Sequence, residues 1–262
     1  ETAYPSPDRA RFSQPFFGIK GKRKENIQLH YLSYALQGLN LAKLVSGATI
    51  PHIYFKDYGE FPIPVPPMET QSRIVAELDL LQALIDKQKL QLKEYDTLAQ
   101  SIFYHMFGDP TENELGWEVK KLEEIGKVIT GNTPSTKDEE NYSSNDFCFV
   151  KPSDIAKDGI TRIVDSEFYI SKKAYEKSRQ LPKGTVLTTC IGIIGKVGVL
   201  QIPGTCNQQI NAIIPISSIS PDYLSYSLLA YRKLFETMAN APVVPIINKG
   251  DFSKVSIPVP PL

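Results

Sequence analysis

Gly192-Ile-Ile-Gly195-Lys196-Val197-Gly198 is a glycine-rich run ending near a lysine, the combination that cradles phosphates between backbone amides and an ammonium. Its spacing is neither GxGxxG nor a P-loop. Val197 stands where Ser or Thr would meet Mg²⁺, and Cys190 stands where the first P-loop glycine would be. Glycines at a tight turn between two strands are the plainer reading. Asp109 ahead of Glu118-Val119-Lys120 has the order of a nuclease site, in which carboxylates hold Mg²⁺ and a lysine polarises the phosphate. Asp109, however, sits at a helix stop and Glu118 at the start of a strand, and such a triplet is common by chance. His30, His52 and His105 are isolated and lack metal-ligand spacing. No GxSxG elbow is present, nor an Asn-Pro-Pro-aromatic or Asp-Pro-Pro-Tyr run of an amino-methyltransferase. The sequence therefore assigns no catalytic residue and no metal ligand.

Binding chemistry is better represented. Lys172, Lys173, Lys177, Arg179 and Lys183 lie close together beside a single acid, Glu176, and a second basic cluster spans Lys20–Lys24. Phosphates take such charged donors for position, while base edges are read by forked or neutral polar groups. Asn132-Thr133-Pro134-Ser135, Lys151-Pro152-Ser153 and Asn207-Gln208-Gln209 supply those groups. The candidate DNA contacts are Asn132, Thr133, Lys151, Ser153, Lys172, Lys173, Lys177, Arg179, Lys183, Gln208 and Gln209. Each charge run taken alone reads equally as a solvated face. Segment 109–140 is acidic, which predicts a positive surface confined to one side.

Composition sets the frame for these groups. In 262 residues, 29 Lys+Arg cancel 29 Asp+Glu, so no global field announces a polyanionic partner and any such binding rests on local asymmetry. The 42% hydrophobic content supports a real core. The 20 prolines cluster, so they punctuate the chain rather than bias it. No run of about 18 apolar residues predicts a membrane helix, and the first residues lack signal-peptide character. Cys148, Cys190 and Cys206, odd in number and without a CxxC pair, read as reduced core thiols, which predicts a cytoplasmic protein.

An internal repeat organises the elements. Tyr31-Leu-Ser-Tyr-Ala-Leu36 recurs as Tyr223-Leu-Ser-Tyr-Ser-Leu228, and Ile63-Pro-Val-Pro-Pro67 recurs as Ile257-Pro-Val-Pro-Pro261, both about 190 residues on. Between these, Ile50-Pro51 matches Val244-Pro245 and Asp57-Tyr58 matches Asp251-Phe252; upstream, Ser13-Gln14 aligns with Asn207-Gln208. The repeat logic predicts that the first copy is incomplete and that the whole protein has roughly 390 residues. From Glu69 to Phe107 there is no Gly or Pro, and good helix formers dominate. Ile74, Leu78, Leu81, Ile85, Leu92, Tyr95 and Ile102, with Gln88, Ala99 and Met106, recur in steps of four and three, the seam of a left-handed coiled coil. Gly108-Asp109-Pro110 stops that helix. Beyond it, 119–122, 127–130, 147–150, 184–189, 196–201 and 210–216 predict short strands. Ser171 predicts a cap for a helix over 172–178, and Pro221-Asp222 opens a helix to about Asn240, followed by an extended Pro-rich exit.

Several motifs together resemble the specificity subunit of type I restriction–modification systems. Gly116-Trp117-Glu118-Val-Lys-Lys-Leu122 is similar to that family's opening of a target-recognition domain, followed by Gly131-Asn-Thr-Pro-Ser135. Phe149-Val-Lys-Pro-Ser-Asp-Ile155, Leu181-Pro-Lys-Gly-Thr-Val186, Ile194-Gly-Lys-Val-Gly198 and Cys206-Asn-Gln-Gln-Ile-Asn-Ala212 complete the pattern, with Ile102-Phe103 near the end of the long helix and Ile257-Pro-Val-Pro-Pro261 at the exit. Each motif is degenerate alone; their order makes the match specific. The resemblance implies an α+β fold in which target-recognition domains of short strands and helices are joined by a long coiled-coil helix. Residues 1–67 would be the C-terminal part of a first such domain, 68–109 the helical spacer and 110–262 the second domain. It implies a non-catalytic reader of duplex DNA that binds half of a bipartite target and docks methyltransferase subunits, with the restriction subunit joining through the complex. S-adenosylmethionine, ATP and Mg²⁺ would belong to those partners, with no cofactor in this chain, and the exposed seam would allow self-association through the helix. The competing readings are the recognition region of a fused restriction–modification enzyme, and a coiled-coil scaffold for proteins.

Overall fold

The computed structural model describes residues 27–39, 41–44, 53–59, 61–239 and 244–261. The basic cluster Lys20–Lys24, His52, Ser13-Gln14, Ile50-Pro51 and Asn240 lie outside them. The chain divides into two compact units, 1–90 and 91–262.

In the first unit, α1 (Leu29–Gly38) and the short α2 (Phe55–Tyr58) precede α3 (Met68–Phe107), a helix of 40 residues that continues into the second unit. At 1.5 Å per residue it is about 60 Å long. Gln71, fully buried in its first turns, acts as a latch. Its side-chain oxygen accepts from the Gln28 amide at 2.9 Å, and its side-chain nitrogen donates to the Pro66 carbonyl at 2.7 Å. The buried Tyr31 hydroxyl donates to the Pro64 carbonyl at 2.8 Å. Tyr34 donates to Asp79 at 2.6 Å, and that bond to a carboxylate raises the pKa of its phenol. At its far end α3 stops where the sequence stops it: Gly108 takes a left-handed φ of 71°, and its amide caps the Tyr104 carbonyl at 2.9 Å.

The second unit is α+β. Its elements run β1 (Glu118–Lys121), α4 (Leu122–Ile125), β2 (Gly126–Thr130), β3 (Phe147–Val150), β4 (Ile160–Ile163), β5 (Tyr169–Ile170), α5 (Lys172–Lys177), β6 (Val186–Thr189), β7 (Val197–Leu200), β8 (Gly204–Cys206), β9 (Ile210–Pro215), α6 (Pro221–Ala230), α7 (Arg232–Met238), α8 (Lys249–Ser253) and β10 (Ser256–Val259). A five-stranded sheet has the order β2-β9-β6-β7-β4, a three-stranded sheet β5-β3-β8, and β1 pairs with β10. The five-stranded sheet is buried on both faces. Side chains alternate across a strand, so Val186, Val197, Val199 and Ile213 join Leu224, Leu228 and Phe235 of the helices on one side. Leu187, Leu200, Ile210 and Ala212 join Cys148, Val150 and Cys206 of the smaller sheet on the other. Phe103, at the end of α3, is buried and lies with its ring 5.3 to 5.6 Å from those of Phe107, Tyr223 and Tyr226.

The sequence repeat reappears as a bond. Tyr223, the counterpart of Tyr31, donates to the carbonyl of Pro258, the counterpart of Pro64, at 2.7 Å. Each copy thus ties its helix to its own Pro-rich exit.

Two expectations need correction. The helix from Pro221 does not run unbroken towards Asn240: it breaks at Tyr231, whose buried hydroxyl is drawn to the Pro110 carbonyl at 2.8 Å, and the chain restarts as α7. Its N-cap is Ser220, which accepts from the Asp222 and Tyr223 amides. The acidic segment is not segregated from the basic one either. The turn Glu139–Tyr142 packs on α5, Glu140 pairs with Lys173, and the Asp146 carboxylate accepts from the Lys172 amide at 2.8 Å. The Lys173 ammonium holds the Glu140 carboxyl below its ordinary pKa. Ser171 caps α5 as expected, accepting from the Ala174 amide.

Candidate functional site

Strand register gathers several connections at one end of the second unit. Thr130 at the end of β2 faces Asn211 near the start of β9, Thr189 at the end of β6 faces Ile210, and Val150 at the end of β3 faces Cys206 at the end of β8. The segments leaving there, 131–135, 151–155, 190–196 and 207–209, are stitched through their backbones. The Asn132 amide donates to the Cys206 carbonyl at 2.9 Å, Asn207 to Val150 at 3.0 Å and Cys190 to Gln209 at 2.8 Å. Gly131 permits the crossing: a Cβ there would lie 2.2 Å from the Asn207 carbonyl oxygen and 2.3 Å from that of Cys206.

Four of the predicted contact residues meet directly. The exposed Thr133 hydroxyl donates to Gln208 Oε1 at 2.6 Å. Asn132 Oδ1 accepts from the Arg179 amide at 3.1 Å, and the Arg179 guanidinium donates to the Thr130 and Gly131 carbonyls. Gln209 follows on the same loop, its side-chain oxygen accepting from Asn207 at 2.8 Å. Lys151 and Ser153 sit on the neighbouring connection, with the Lys151 ammonium 3.0 Å from the centroid of the Phe168 ring and Ser153 donating to Glu167 at 3.4 Å.

The other basic residues do not share this end. Because β5 is antiparallel to β3, with Ile170 opposite Phe147, α5 starts at the far end, and Lys172 and Lys173 start with it. The chain returns to the loops only near Arg179. Lys183 precedes β6, and the neighbouring Gly184 amide bonds the Leu200 carbonyl, so it lies at the opposite end of that strand from Thr189. The basic run therefore extends along a flank rather than forming one patch.

The glycine–lysine run is a turn, as its spacing predicts. Gly192 and Gly195 both take φ of 77°, and the Lys196 ammonium is turned inward to the Pro152 and Ile155 carbonyls at 2.7 Å each. That structural role is hidden in the sequence because its partners lie 44 and 41 residues away. Asp109 accepts from the amide and hydroxyl of Thr111, and Glu118 pairs with Lys120 at 3.1 Å, so both carboxylates of the nuclease-like pattern have structural partners. Among the described residues no group of three or more His, Cys, Asp or Glu could hold a metal ion. Cys148, Cys190 and Cys206 are free and buried; burial pushes the Cys190 thiol up to about 11 and raises that of Cys206 further.

A five-stranded sheet covered on both faces, with polar loops converging at one end, defines an α+β domain. The sequence matches the type I restriction modification DNA specificity domain family over residues 3–94 and 114–262, and the chain belongs to that family. It is 33% identical over 148 residues to the type I restriction enzyme MjaIX specificity subunit of Methanocaldococcus jannaschii, covering 55% of this chain and 34% of that relative. It is 32% identical over 149 residues to the HindI specificity subunit of Haemophilus influenzae, covering 55% and 32%. These matches span about a third of each relative's length. The fold is similar to that of the type I restriction-modification system S subunit from M. genitalium, with a TM-score of 0.55, 17% identity, and coverage of 89% of this chain and 62% of that one. No helix among the described residues is long and apolar enough to cross a membrane.

Proposed function

We propose that this chain is part of a DNA-specificity subunit, and that residues 110–262 read one half of a bipartite duplex sequence through the loop end. The observation that carries this is the convergence of Asn132, Thr133, Gln208 and Arg179 at the junction of the two sheets, linked by hydrogen bonds, with Lys151 and Ser153 on the neighbouring connection. Forked amides and a hydroxyl are the groups that distinguish base edges, and the basic flank of Lys172, Lys173, Lys177 and Lys183 suits the phosphate backbone. Residues 1–67 are then the C-terminal part of a first recognition domain, and 68–109 the helical spacer. In this reading the complex is cytoplasmic and methyltransferase subunits dock on the chain. The restriction subunit joins through them, and S-adenosylmethionine, ATP and Mg²⁺ reside on those partners.

Titration of a duplex with the purified chain at several salt concentrations tests the reading. Log affinity should fall linearly with log salt, and Lys172→Glu with Lys177→Glu should flatten the slope by about 0.9 for each phosphate no longer neutralised. Gln208→Ala should leave the slope and change the preferred sequence. Salt-independent binding, or none, would overturn the reading.

The seam on α3 bears on partners. Leu81, Ile85, Leu92, Tyr95 and Ile102 are exposed, and Ile74 and Leu78 are partly covered. Leu80, Leu84 and Leu98, outside the predicted positions, are exposed too, so the stripe is wider than a strict coiled-coil seam. A second copy of α3 from another chain is the proposed occupant. Sedimentation should detect self-association at micromolar concentration, abolished by Leu81→Lys with Leu92→Lys. A chain that stays monomeric with its helix content intact would remove the seam from the proposal.

A further inference from the structure

The turn between β6 and β7 carries an apolar side chain where turns ordinarily carry Gly, Asn, Asp or Ser. Ile193 is 57% exposed, whereas its neighbour Ile194 is 4% exposed and belongs to the core. The turn that holds them is rigidly tied. The buried Thr189 hydroxyl donates to the Ile193 carbonyl at 2.6 Å and accepts from the Lys196 amide at 3.0 Å, and the Gly195 amide donates to the Thr189 carbonyl at 2.9 Å. With its β-branched side chain stiff at χ1, Ile193 is a preorganised apolar knob that loses little entropy on binding.

Single exposed apolar residues are common and need no explanation. This one is distinguished by its surroundings. Segment 244–246 runs beside the turn, joined through the Gly192 amide to the Pro245 carbonyl at 3.1 Å and by the bridge between Ile191 and Ile246. On that segment Ile246 is 46% and Val244 44% exposed, so the turn and its neighbour form an apolar ridge. The ridge is continuous with the polar loop end, because the Cys190 amide, at the root of the turn, donates to the Gln209 carbonyl at 2.8 Å.

On a duplex, the apolar group that a base edge presents in the major groove is the thymine 5-methyl. We propose that Ile193 is a specificity-determining residue that contacts a thymine methyl within the half-sequence read by this domain. The inference rests on the proposed DNA reading and adds to it an apolar readout beside the hydrogen-bonding groups Asn132, Thr133 and Gln208.

Methyl scanning tests it on the full chain. Duplexes are enriched from a random library, and the enriched duplex is remade with deoxyuridine replacing thymine one position at a time. Wild type should lose about fourfold in affinity at one or two positions, the worth of one buried methyl. Ile193→Ala should bind the thymine duplex about fourfold more weakly and become indifferent to the methyl at those same positions. Because the side chain is exposed, its melting temperature should match wild type. Ile193→Val should retain part of the discrimination. Full methyl discrimination in Ile193→Ala, no sensitive position in wild type, or an enriched sequence without thymine would each overturn this inference alone. Failure to enrich any duplex would overturn the DNA reading, and this inference with it.

Discussion

Gly131→Ala is expected to destabilise the second unit by on the order of 3 kcal/mol and to disable its loop end even where the chain stays folded. The reason is close approach rather than backbone dihedrals, since Gly131 is not among the residues with positive φ. The new Cβ would meet two carbonyl oxygens, of Asn207 at 2.2 Å and Cys206 at 2.3 Å, and backbone cannot turn aside as a side chain can. Relief requires moving 131–133 away from 206–208. That breaks the 2.9 Å bond from the Asn132 amide to the Cys206 carbonyl and separates Thr133 from Gln208. A denaturant titration measures the first effect and duplex binding below the unfolding transition measures the second, expected to fall more than tenfold. Gly38→Ala is the control: it ends α1 with nothing within 4 Å of its Cβ, and should gain a few tenths of a kcal/mol from helix propensity. A Gly131→Ala chain that unfolds with wild type would show that the two loops can part at no cost.

The legible parts of the chain are those whose signals are local. The uninterrupted run to Phe107 shows the long helix, Ser171 shows the cap of α5, and Gly192 with Gly195 shows a turn. The repeat is legible over a long span because it is written twice, and the paired bonds of Tyr31 and Tyr223 give it a physical basis. β5 and β8, two and three residues long, carry no alternation to detect. The central strands are buried on both faces, so they read as apolar runs without a period. Tyr231, where the helix breaks, is bonded to Pro110, 121 residues away. At the candidate site the residue types are legible, but their grouping is not. Thr133 and Gln208 are brought together by strand pairing across 75 residues, whereas Lys183, near Arg179 in sequence, is carried to the far end by the intervening segment, whose Leu181 bridges Gly204 at the start of β8. Ile193 is masked in the sequence by the glycines around it, which point to phosphate chemistry, and only its exposure beside the buried Ile194 sets it apart.

Lys196→Met is expected to cost about 2–5 kcal/mol, since it keeps the unbranched apolar stem of the side chain and removes its charged donor. Lys196 is only 9% exposed, and its ammonium donates to the Pro152 and Ile155 carbonyls at 2.7 Å each. Those carbonyls flank the turn Pro152–Asp154, which also carries Ser153 and follows Lys151. Without the ammonium, two carbonyls lose a buried charged donor, and the turn loses its tie to the start of β7. The effect should therefore be local as well as global. Hydrogen exchange at the Asp154 amide, which bonds the Lys151 carbonyl at 3.0 Å, should accelerate more than exchange in β6 or β9. A second measurement separates this clamp from a phosphate-binding lysine. Adding ATP should leave the melting temperature of wild type unchanged, because an ammonium held inward by two carbonyls is not presented to a nucleotide. ATP stabilisation of wild type that is lost in Lys196→Met would instead assign the lysine to phosphate. Unfolding and exchange that match wild type would show that the turn holds without it.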